Sequence, residues 1–471
     1  MKKIFEWSGW RAAGKTLCFL LLLIMVLSRA DGVLSIKAFD GLYTMEKFYE
    51  QEDESVDLLV MGSSHAFVGV DPGLLWEEFG IPSYDLGGGA QPFWNTYYFL
   101  KEALKTQKPR LVVLDAFAAT FTEEYGDNGR AVSNTFGLKW SRDKIEAMKL
   151  SAPPDMLSSF LLGYCQYHSR SRELSREDFM KNKGDDAKYG DWKGSYISTN
   201  VNAQEWPADT QTEERIAMTP KTEEWYRKTI ELAQSSGLPL LIVVNPYPGI
   251  TVYHQAFYNT AADIAAEYGV PFVNFNQDFD ALDLDPATGY YDSHHMNIWG
   301  SREFTSQLGR YLKEHYDLPD RRGDPGYQSW ENYARYISAY AENGKLAQGV
   351  PAEEAASFLL APDYTCAVAV SGSGGTAYAS LLESLGLPTG QEGLWLLSGE
   401  QILWSSGPAG QEYFRLDYHD LKLARTPEGN EMVYDRSQQT LLPDGVSVFV
   451  YDAVTQGLAA RLFYDAAQLS A

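Results

Sequence analysis

Residues 56–64 read Val-Asp-Leu-Leu-Val-Met-Gly-Ser-Ser, a short apolar run that stops at a glycine and two serines. An apolar run of this length, bounded by turn residues, predicts a buried β-strand over Val56–Met61. Similar runs, separated by segments with helical spacing, predict four more strands: Ile81–Leu86, Leu111–Leu114, Leu238–Asn245 and Val270–Phe275. Short apolar strands that alternate with helices are typical of a parallel sheet covered on both faces. The sequence therefore predicts an α/β fold, a three-layer αβα sandwich with a five-stranded parallel sheet.

Changes in composition divide the rest of the chain. The alternating pattern covers residues 55–316 but lapses over about 118–220, which we interpret as an insertion in the α/β domain. Residues 317–350 begin with Pro, Gly and charged residues and continue with helical spacing, which indicates a linker and a helix. From residue 351 to 471, short strands and Gly-rich turns predict a small β-rich accessory domain.

The first 36 residues combine a basic start with an apolar run. Lys2, Lys3, Arg11 and Lys15 precede the apolar stretch Leu17–Leu27. This pattern indicates an uncleaved membrane anchor, but it also fits a signal peptide cleaved after Ala30 or a buried helix of a soluble protein. In the first two cases the positive-inside rule places the bulk of the chain outside the cytoplasm.

The overall composition excludes two classes of protein. The 471 residues include 63 acidic and 39 basic side chains, for a formal net charge of −24. Sequence-independent binding of nucleic acid requires a basic face, so no nucleic-acid partner is expected. Three cysteines are too few for a disulfide-stapled scaffold, although Cys165 and Cys366 would be able to pair in an oxidising compartment.

Three polar motifs follow predicted strands at the same end of the sheet. Gly62-Ser63-Ser64-His65 follows the first strand, Gly87 follows the second, and Asp292-Ser-His-His295 follows the last. Ligands of such sheets bind outside the carboxyl ends of the strands. A serine nucleophile requires a base within hydrogen-bond reach and a carboxylate that orients the base. Because an Asp three residues before a His supplies both from one turn, the motifs predict a Ser-His-Asp site.

These motifs resemble those of SGNH/GDSL-type hydrolases, in particular the membrane-anchored branch found in Gram-positive bacteria, over residues 57–316. The resemblance implies a flavodoxin-like SGNH fold with Ser64 as nucleophile, His295 as base and Asp292 as the orienting carboxylate. His294 is the alternative base. The resemblance also implies that the backbone amides of Ser64 and Gly87 bind the oxyanion, and that no metal or organic cofactor takes part. We further expect four residues near the substrate pocket: His65, Asn245, Tyr247 and Asn297.

The chain departs from the family pattern in two blocks. Ser63 stands where the family has Asp, and Leu114-Asp115-Ala116-Phe117 replaces the Gly-x-Asn-Asp block after the third strand. In the family, the Asn of that block donates a hydrogen bond to the oxyanion. Loss of one such donor costs about 100- to 1000-fold in rate. Three asparagines are candidates to replace it: Asn245, Asn95 and Asn134.

The C-terminal domain carries a second resemblance. Its segments Tyr378–Gly386 and Gly445–Asp452 are similar to parts of interleukin-like EMT-inducer (PANDER-like) domains. Such domains are β-rich and linked to carbohydrate or protein recognition. Without this resemblance, the region is a β-rich accessory module of unspecified role.

Two hypotheses for the function follow. The first is an extracytoplasmic, membrane-anchored esterase or acyltransferase. The family resemblance implies O-acyl groups of cell-wall or surface polysaccharide as its substrate and a membrane O-acyltransferase as a partner. The second is a non-catalytic SGNH scaffold that binds cell-surface glycan. A probe that reacts only with an activated serine distinguishes the two.

Overall fold

A computed structural model describes residues 2–34, 43–126, 128–161, 168–174, 176–179 and 192–469. The chain divides into two compact units, Met1–Glu331 and Asn332–Ala471. Each unit has its own sheets. Cys165, one half of the disulfide considered above, lies outside the described residues, and Cys366 is a free, buried thiol.

The first unit is built on five parallel strands. Their bounds are β1 Leu58–Gly62, β2 Ser83–Gly87, β3 Leu111–Asp115, β4 Leu240–Val244 and β5 Phe272–Asn274. All neighbouring pairs are parallel, and the strand order is β2-β1-β3-β4-β5. This is the order of flavodoxin-like doubly wound sheets, whose binding crevice lies where the order reverses, beside the first strand. The predicted α/β fold with a five-stranded parallel sheet is confirmed.

Every residue of β1 to β4 is buried, which requires cover on both faces of the sheet. Helices provide this cover. They are α2 Thr44–Phe48, α3 Ser64–Gly69, α4 Pro72–Phe79, α5 Phe93–Ala103, α9 Pro220–Ser235, α10 Val252–Glu267 and α11 Ile298–His315. Among them, α5 packs on α9 and α4 packs on α11. Side chains cap the N-termini of several of these helices. The side chain of Asp71 accepts a hydrogen bond from the amide of Gly73 at the start of α4, and that of Thr219 accepts one from the amide of Thr222 at the start of α9.

The insertion has two parts of different character. Its first part contains the helices α6 Asn128–Phe136, α7 Arg142–Ser151 and α8 Leu157–Leu161, and the short 3₁₀ turns His168–Arg172 and Arg176–Phe179. Its second part, residues 192–202, has no regular secondary structure and is called the return segment below. The backbone of the return segment bonds to β2, where the amide of Asp85 donates to the carbonyl of Lys193 (2.9 Å).

The N-terminal helix α1 spans Lys2–Leu34. Within it, Trp10–Leu34 is long and apolar enough to cross a membrane, a property shared by signal sequences. The apolar side chains of Leu17–Leu27 are exposed, unlike those of a core helix of a soluble protein. One N-terminal apolar helix that fits a membrane span or signal is therefore present.

The second unit is β-rich. It begins with α12 Gln328–Ala347, which crosses the unit boundary, and α13 Ala352–Leu359. Its strands are β6 Tyr364–Ser371, β7 Gly393–Ser398, β8 Gln401–Ser405, β9 Gly410–Leu416, β10 His419–Thr426, β11 Gly429–Tyr434, β12 Ser437–Gln438, β13 Gly445–Asp452 and β14 Gly457–Asp465. They form two antiparallel sheets, β14-β13-β6-β7-β8 and β12-β11-β10-β9.

Strand alternation explains how the second unit is layered. On β6, Ala367 and Ala369 join a cluster with Leu423 and Met432 of the other sheet. The intervening residues of β6, including Val368, face a second cluster that contains side chains of α13. The five-stranded sheet is thus covered by the other sheet on one face and by helices on the other. The separate β-rich C-terminal region predicted from the sequence is confirmed.

Candidate active site

The structure brings three of the predicted side chains together at the carboxyl ends of the strands. The Nε2 atom of His295 lies 2.9 Å from Oγ of Ser64. The Nδ1 atom of the same ring lies 2.9 and 3.0 Å from the two carboxylate oxygens of Asp292. When Nδ1–H donates to Asp292, Nε2 carries a lone pair and accepts the hydroxyl of Ser64. This is the hydrogen-bond chain of a serine nucleophile with its base and orienting acid.

A short hairpin-like turn holds the acid and the base. Tyr290 and Met296 form an antiparallel bridge on either side of it, and the amide of Tyr291 donates to the carbonyl of His295 (3.1 Å). One carboxylate oxygen of Asp292 also accepts the backbone amides of His294 (2.7 Å) and His295 (2.8 Å). The side chains of His295 and Asp292 keep 25% and 44% of their surface exposed, so the site is open to a substrate from this side.

The environment of Asp292 keeps its carboxylate ionised. Partial burial acts to raise its pKa, but the hydrogen bond from His295 and the two backbone amides outweigh burial, and the pKa is lowered. An ionised Asp292 is the form that stabilises a positively charged imidazole.

Ser64 lies on a turn next to two glycines, Gly62 and Gly87, at which there is no room for a Cβ atom. Gly62 has φ +148°, and a Cβ atom there would lie 2.9 Å from Cβ of Asp115. A Cβ atom on Gly87 would lie 2.8 Å from the carbonyl oxygen of Gly62 and 3.3 Å from that of Ser63. Because glycine has no Cβ, β1 and β2 end side by side directly against Ser64, in the register Gly62↔Gly87. Ser64 is the first residue of α3, where a backbone amide has no acceptor within its helix.

The third strand ends in a buried carboxyl group behind the nucleophile turn. Asp115 accepts the amide of Phe117 (3.3 Å), and its Oδ2 lies 3.5 Å from Oγ of Ser63. Burial raises the pKa of Asp115 from 3.8 to about 7, while hydrogen bonds from Phe117, Asn245 and Ser63 oppose part of this rise. Ser63 and Asp115, two positions at which the chain departs from the SGNH/GDSL pattern, are therefore adjacent in space.

The three asparagines proposed as oxyanion donors are all engaged in structural hydrogen bonds. The side-chain amide of Asn245 donates to the carbonyl of His65 (2.8 Å). That of Asn95 donates to the carbonyl of Asn134 (3.1 Å) and to Ser151, and that of Asn134 donates to the carbonyl of Gly89 (3.1 Å). In this structure each of these side-chain NH₂ groups is directed at a protein acceptor.

His65 and Tyr247, expected near the pocket, lie in a packed group of rings beneath the site. His65 is buried and stacks on Phe117 at 3.7 Å between ring centroids, with Tyr247 at 4.7 Å. Tyr247 is fully buried, stacks on His294 at 5.5 Å and shares a hydrogen bond with Tyr258 (2.9 Å). Burial, and then the neighbouring histidines, lower the pKa of His65 well below its ordinary value. The ring of His65 is therefore neutral.

His294, the alternative base, is directed away from the nucleophile. Its Nδ1 atom lies 2.9 Å from Oγ of Ser293, and its ring lies against Tyr247. Burial and the neighbouring His295 lower the pKa of His294, whereas Asp292 acts to raise it. The geometry therefore favours His295 over His294 as the base.

Asn297 joins three segments below the base. Its Oδ1 atom accepts the amides of Trp299 and Gly300 (3.1 Å each) and so caps α11. Its Nδ2 atom donates to the carbonyls of Thr288 (2.6 Å) and Asn200 (3.2 Å). The side chain is buried, so its role here is to hold the turn that carries the base.

Two features of the site were not predicted from the sequence. The ring of Tyr291 stacks on that of His295, with 5.5 Å between centroids and 7° between planes. The return segment bonds to both halves of the site: Tyr196 donates its amide to Phe67 of α3 (2.8 Å), and Ser198 accepts that of Ile298 (2.9 Å). Because Tyr291 directly precedes Asp292 in the sequence, it could have been predicted to lie near the site. The return segment contacts the site through backbone hydrogen bonds, which no pattern of side chains in the sequence indicates.

Among the described residues, no group of three or more His, Cys, Asp and Glu side chains is arranged to hold a metal ion. In comparisons with known proteins, no family model matches this chain. No curated protein matches it either, so a function has to be argued from the geometry of the site.

Proposed function

We propose that the chain is an SGNH/GDSL-type serine esterase or acyltransferase, with Ser64, His295 and Asp292 as its triad. The observation that carries the proposal is the continuous hydrogen-bond chain from Oγ of Ser64 through both ring nitrogens of His295 to Asp292. Ser64 is more than 220 chain positions from Asp292 and His295, and the three residues meet at the edge of the sheet where doubly wound folds bind ligands.

The reaction would proceed in two halves. Ser64 Oγ attacks the carbonyl carbon of an acyl ester while His295 Nε2 takes the hydroxyl proton. His295 then gives this proton to the leaving alkoxide, which departs and leaves the acyl group on Ser64. Water or a sugar hydroxyl next attacks the acyl-enzyme, His295 takes its proton, and the proton returns to Ser64 as the new product leaves. Asp292 holds the imidazolium during both halves.

The negative charge that develops on the carbonyl oxygen needs backbone donors. The amides of Ser64 and Gly87 are the candidates, because the close approach of β2 to the nucleophile turn brings Gly87 beside Ser64. Burial of the rings beneath the site supports a water-poor environment in which such donors are most effective.

The compartment and substrate class form the second part of the proposal. We propose that α1 is an uncleaved anchor, that the bulk of the chain lies outside the cytoplasm, and that O-acyl groups of cell-wall or surface polysaccharide are the substrate. An apolar helix that follows a basic N-terminus supports this orientation. A membrane O-acyltransferase is the expected partner, and this part rests on family analogy.

The second candidate is a non-catalytic scaffold that binds glycan. One observation favours it: the side-chain amides of Asn245, Asn95 and Asn134 all donate to protein acceptors, so none of them supplies a third oxyanion donor. A site with two donors in place of three is expected to be slower by about 100- to 1000-fold, which is still measurable with a reactive probe.

The test uses the full chain in detergent with a fluorophosphonate probe and mapping of the labelled residue. The catalytic proposal predicts labelling at Ser64, which Ser64→Ala abolishes and His295→Ala slows by at least 1000-fold. His294→Ala is the matched control, because it removes a neighbouring imidazole that does not contact Ser64, and it should retain labelling within a few-fold. A folded chain that does not label at Ser64 supports the scaffold candidate instead.

A further inference from the structure

The C-terminal end of α1 packs against helices of the insertion in the first unit. Leu34, the last residue of the helix, is buried in a cluster with Val132 of α6 and Phe160 of α8. Arg170 donates to the carbonyl oxygen of Leu34 (2.6 Å) and forms an ion pair with Asp178 (3.0 Å). The end of α1 is therefore in direct contact with the insertion.

Two large aromatic side chains lie exposed where α1 ends. Outside α1, Phe179 (68% exposed) and Trp140 (65%) are the most exposed large hydrophobic side chains described for the first unit. Phe179 follows Asp178 directly, in the turn Arg176–Phe179 that packs on α1. We call the surface formed by Trp140 and Phe179 at the C-terminal end of α1 the exit face.

Trp140 is linked to α1 through Lys144. The ammonium group of Lys144 lies 4.8 Å from the centroid of the Trp140 ring and donates to the carbonyls of Phe136 and Leu138. Burial lowers the pKa of Lys144 to about 8, and the carboxylates of Asp31 in α1 and of Glu46 oppose this change. Lys144 Nζ also lies 5.7 Å from the ring centroid of Phe136, which packs against the cluster that contains Leu34, so Trp140 is connected to the end of α1 through Lys144 and Phe136.

The charge of this region differs from that of the whole chain. Residues 128–179 contain 8 Lys and Arg against 6 Asp and Glu, whereas the complete chain has an excess of 24 acidic side chains. A positive segment beside a membrane helix is attracted to anionic headgroups, whereas the rest of this acidic chain is repelled by them.

We propose that the exit face is a membrane-seating surface, with Trp140 and Phe179 inserted at the level of the lipid headgroups. The inference rests on the proposed membrane anchor, since α1 must cross the bilayer for its end to lie at the lipid surface. Exposed aromatic rings are costly in water but favourable at the boundary between headgroups and acyl chains. Continuity with α1 selects the bilayer as the occupant, because any surface around the exit point of a spanning helix faces lipid.

A seated exit face holds the first unit at one height and one tilt above the bilayer. The helix fixes the point of attachment, and two inserted rings on its flanks oppose rotation about that point. The candidate active site belongs to the same unit, so its distance from the membrane would be set by these contacts.

The test uses the full chain in liposomes that contain lipids brominated near the headgroup end of the acyl chains, which quench tryptophan at short range. Trp140→Phe is expected to remove a quenched component of the emission, and Phe179→Trp is expected to add one. Tyr253→Trp is the matched control. Tyr253 is 53% exposed on α10, which packs on β5 at the far edge of the sheet from β2, and its tryptophan emission should not be quenched.

The inference fails if either the Trp140 or the Phe179 site is not quenched, or if the Tyr253 site is quenched equally. It also fails if the chain does not float with the liposomes, because that outcome removes the anchor. Quenching at both sites without fluorophosphonate labelling of Ser64 would leave the seating surface intact and remove only the catalytic proposal.

Discussion

The two halves of the candidate site are held by different means. On the Ser64 side, Gly62 and Gly87 allow two strand ends to touch, and both strands are buried along their whole length. On the base side, Asp292 and His295 sit on a partly exposed turn that is held by polar side chains, above all Asn297. Ser64, the proposed nucleophile, is positioned by glycines that have no side chain, whereas His295, the proposed base, is positioned by hydrogen bonds from side chains. Substitutions that add atoms should therefore disturb the Ser64 side most. Substitutions that remove hydrogen bonds should disturb the side of Asp292 and His295 most.

The largest effect is expected on the base side. Asp292→Asn keeps an oxygen for the amides of His294 and His295 but presents NH₂ to the ring of His295, which favours the wrong tautomer. The rate of acyl-ester cleavage should fall by about 10⁴-fold with the fold intact. Asp280→Asn, at an exposed position, makes the same change in charge and should leave the rate unchanged. A fall of less than tenfold in Asp292→Asn would remove Asp292 from the triad.

On the nucleophile side, Asp115 should make stability depend on pH. Its carboxyl group keeps a proton up to about pH 7 in the folded protein but only to about pH 4 when unfolded. Between these values the folded state binds more protons, so the free energy of unfolding falls as pH rises and then levels off. The fall is about 4 kcal/mol at most.

Asp115→Asn cannot ionise, so it should flatten this profile and gain stability relative to the parent as pH rises from 4 to 7. Thermal unfolding across this pH range measures the effect. A parallel decline in variant and parent would show that Asp115 is not the group responsible.

Gly87→Ala adds one methyl group where the carbonyl of Gly62 lies 2.8 Å away. The strand end must move, and with it a proposed oxyanion donor, so labelling of Ser64 should slow by about 100- to 1000-fold. Gly326→Ala is the control, because its Cβ atom would meet nothing closer than 3.4 Å. If Gly87→Ala labelled at the parental rate, close contact of β1 and β2 would not be what positions the nucleophile.

The smallest expected effect separates the two roles of Asn297. Asn297→Ala loses the α11 cap and two donated hydrogen bonds, and stability should fall by about 2 kcal/mol. Asn297→Asp keeps the acceptor for Trp299 and Gly300 but loses the donors to Thr288 and Asn200. If the donors hold the base, both variants slow labelling; if only the cap matters, Asn297→Asp behaves like the parent.

Continuous apolar runs made the parallel sheet predictable. Both ends of each of its five strands were predicted to within two residues, because these buried strands are mostly apolar. In the second unit, apolar runs predicted only β6, β7, β8 and β13, and the strands β9 to β12 and β14 were missed. The missed strands are partly exposed, so polar residues interrupt their apolar residues and no continuous run forms.

For the site, residue spacing predicted which side chains would meet but not which way others would point. Because Asp292 stands three residues before His295, the spacing favoured this pairing over one with His294. Asn245 and Asn297 lie as close to the site as expected, but their amides are directed at carbonyl oxygens of His65 and Thr288. Direction depends on tertiary contacts, which the order of residue types does not contain.

Ser64 and His295 are separated by 231 positions along the chain, and the return segment bonds to both of their neighbourhoods. During synthesis, the turn that carries Ser64 is complete long before the residues that carry His295 exist. Closing so long a loop is a late event in folding. A nascent chain that ends before residue 295 therefore has Ser64 without its proposed base. For the proposed triad, this topology delays assembly of the site until the protein has been made almost as far as its second unit.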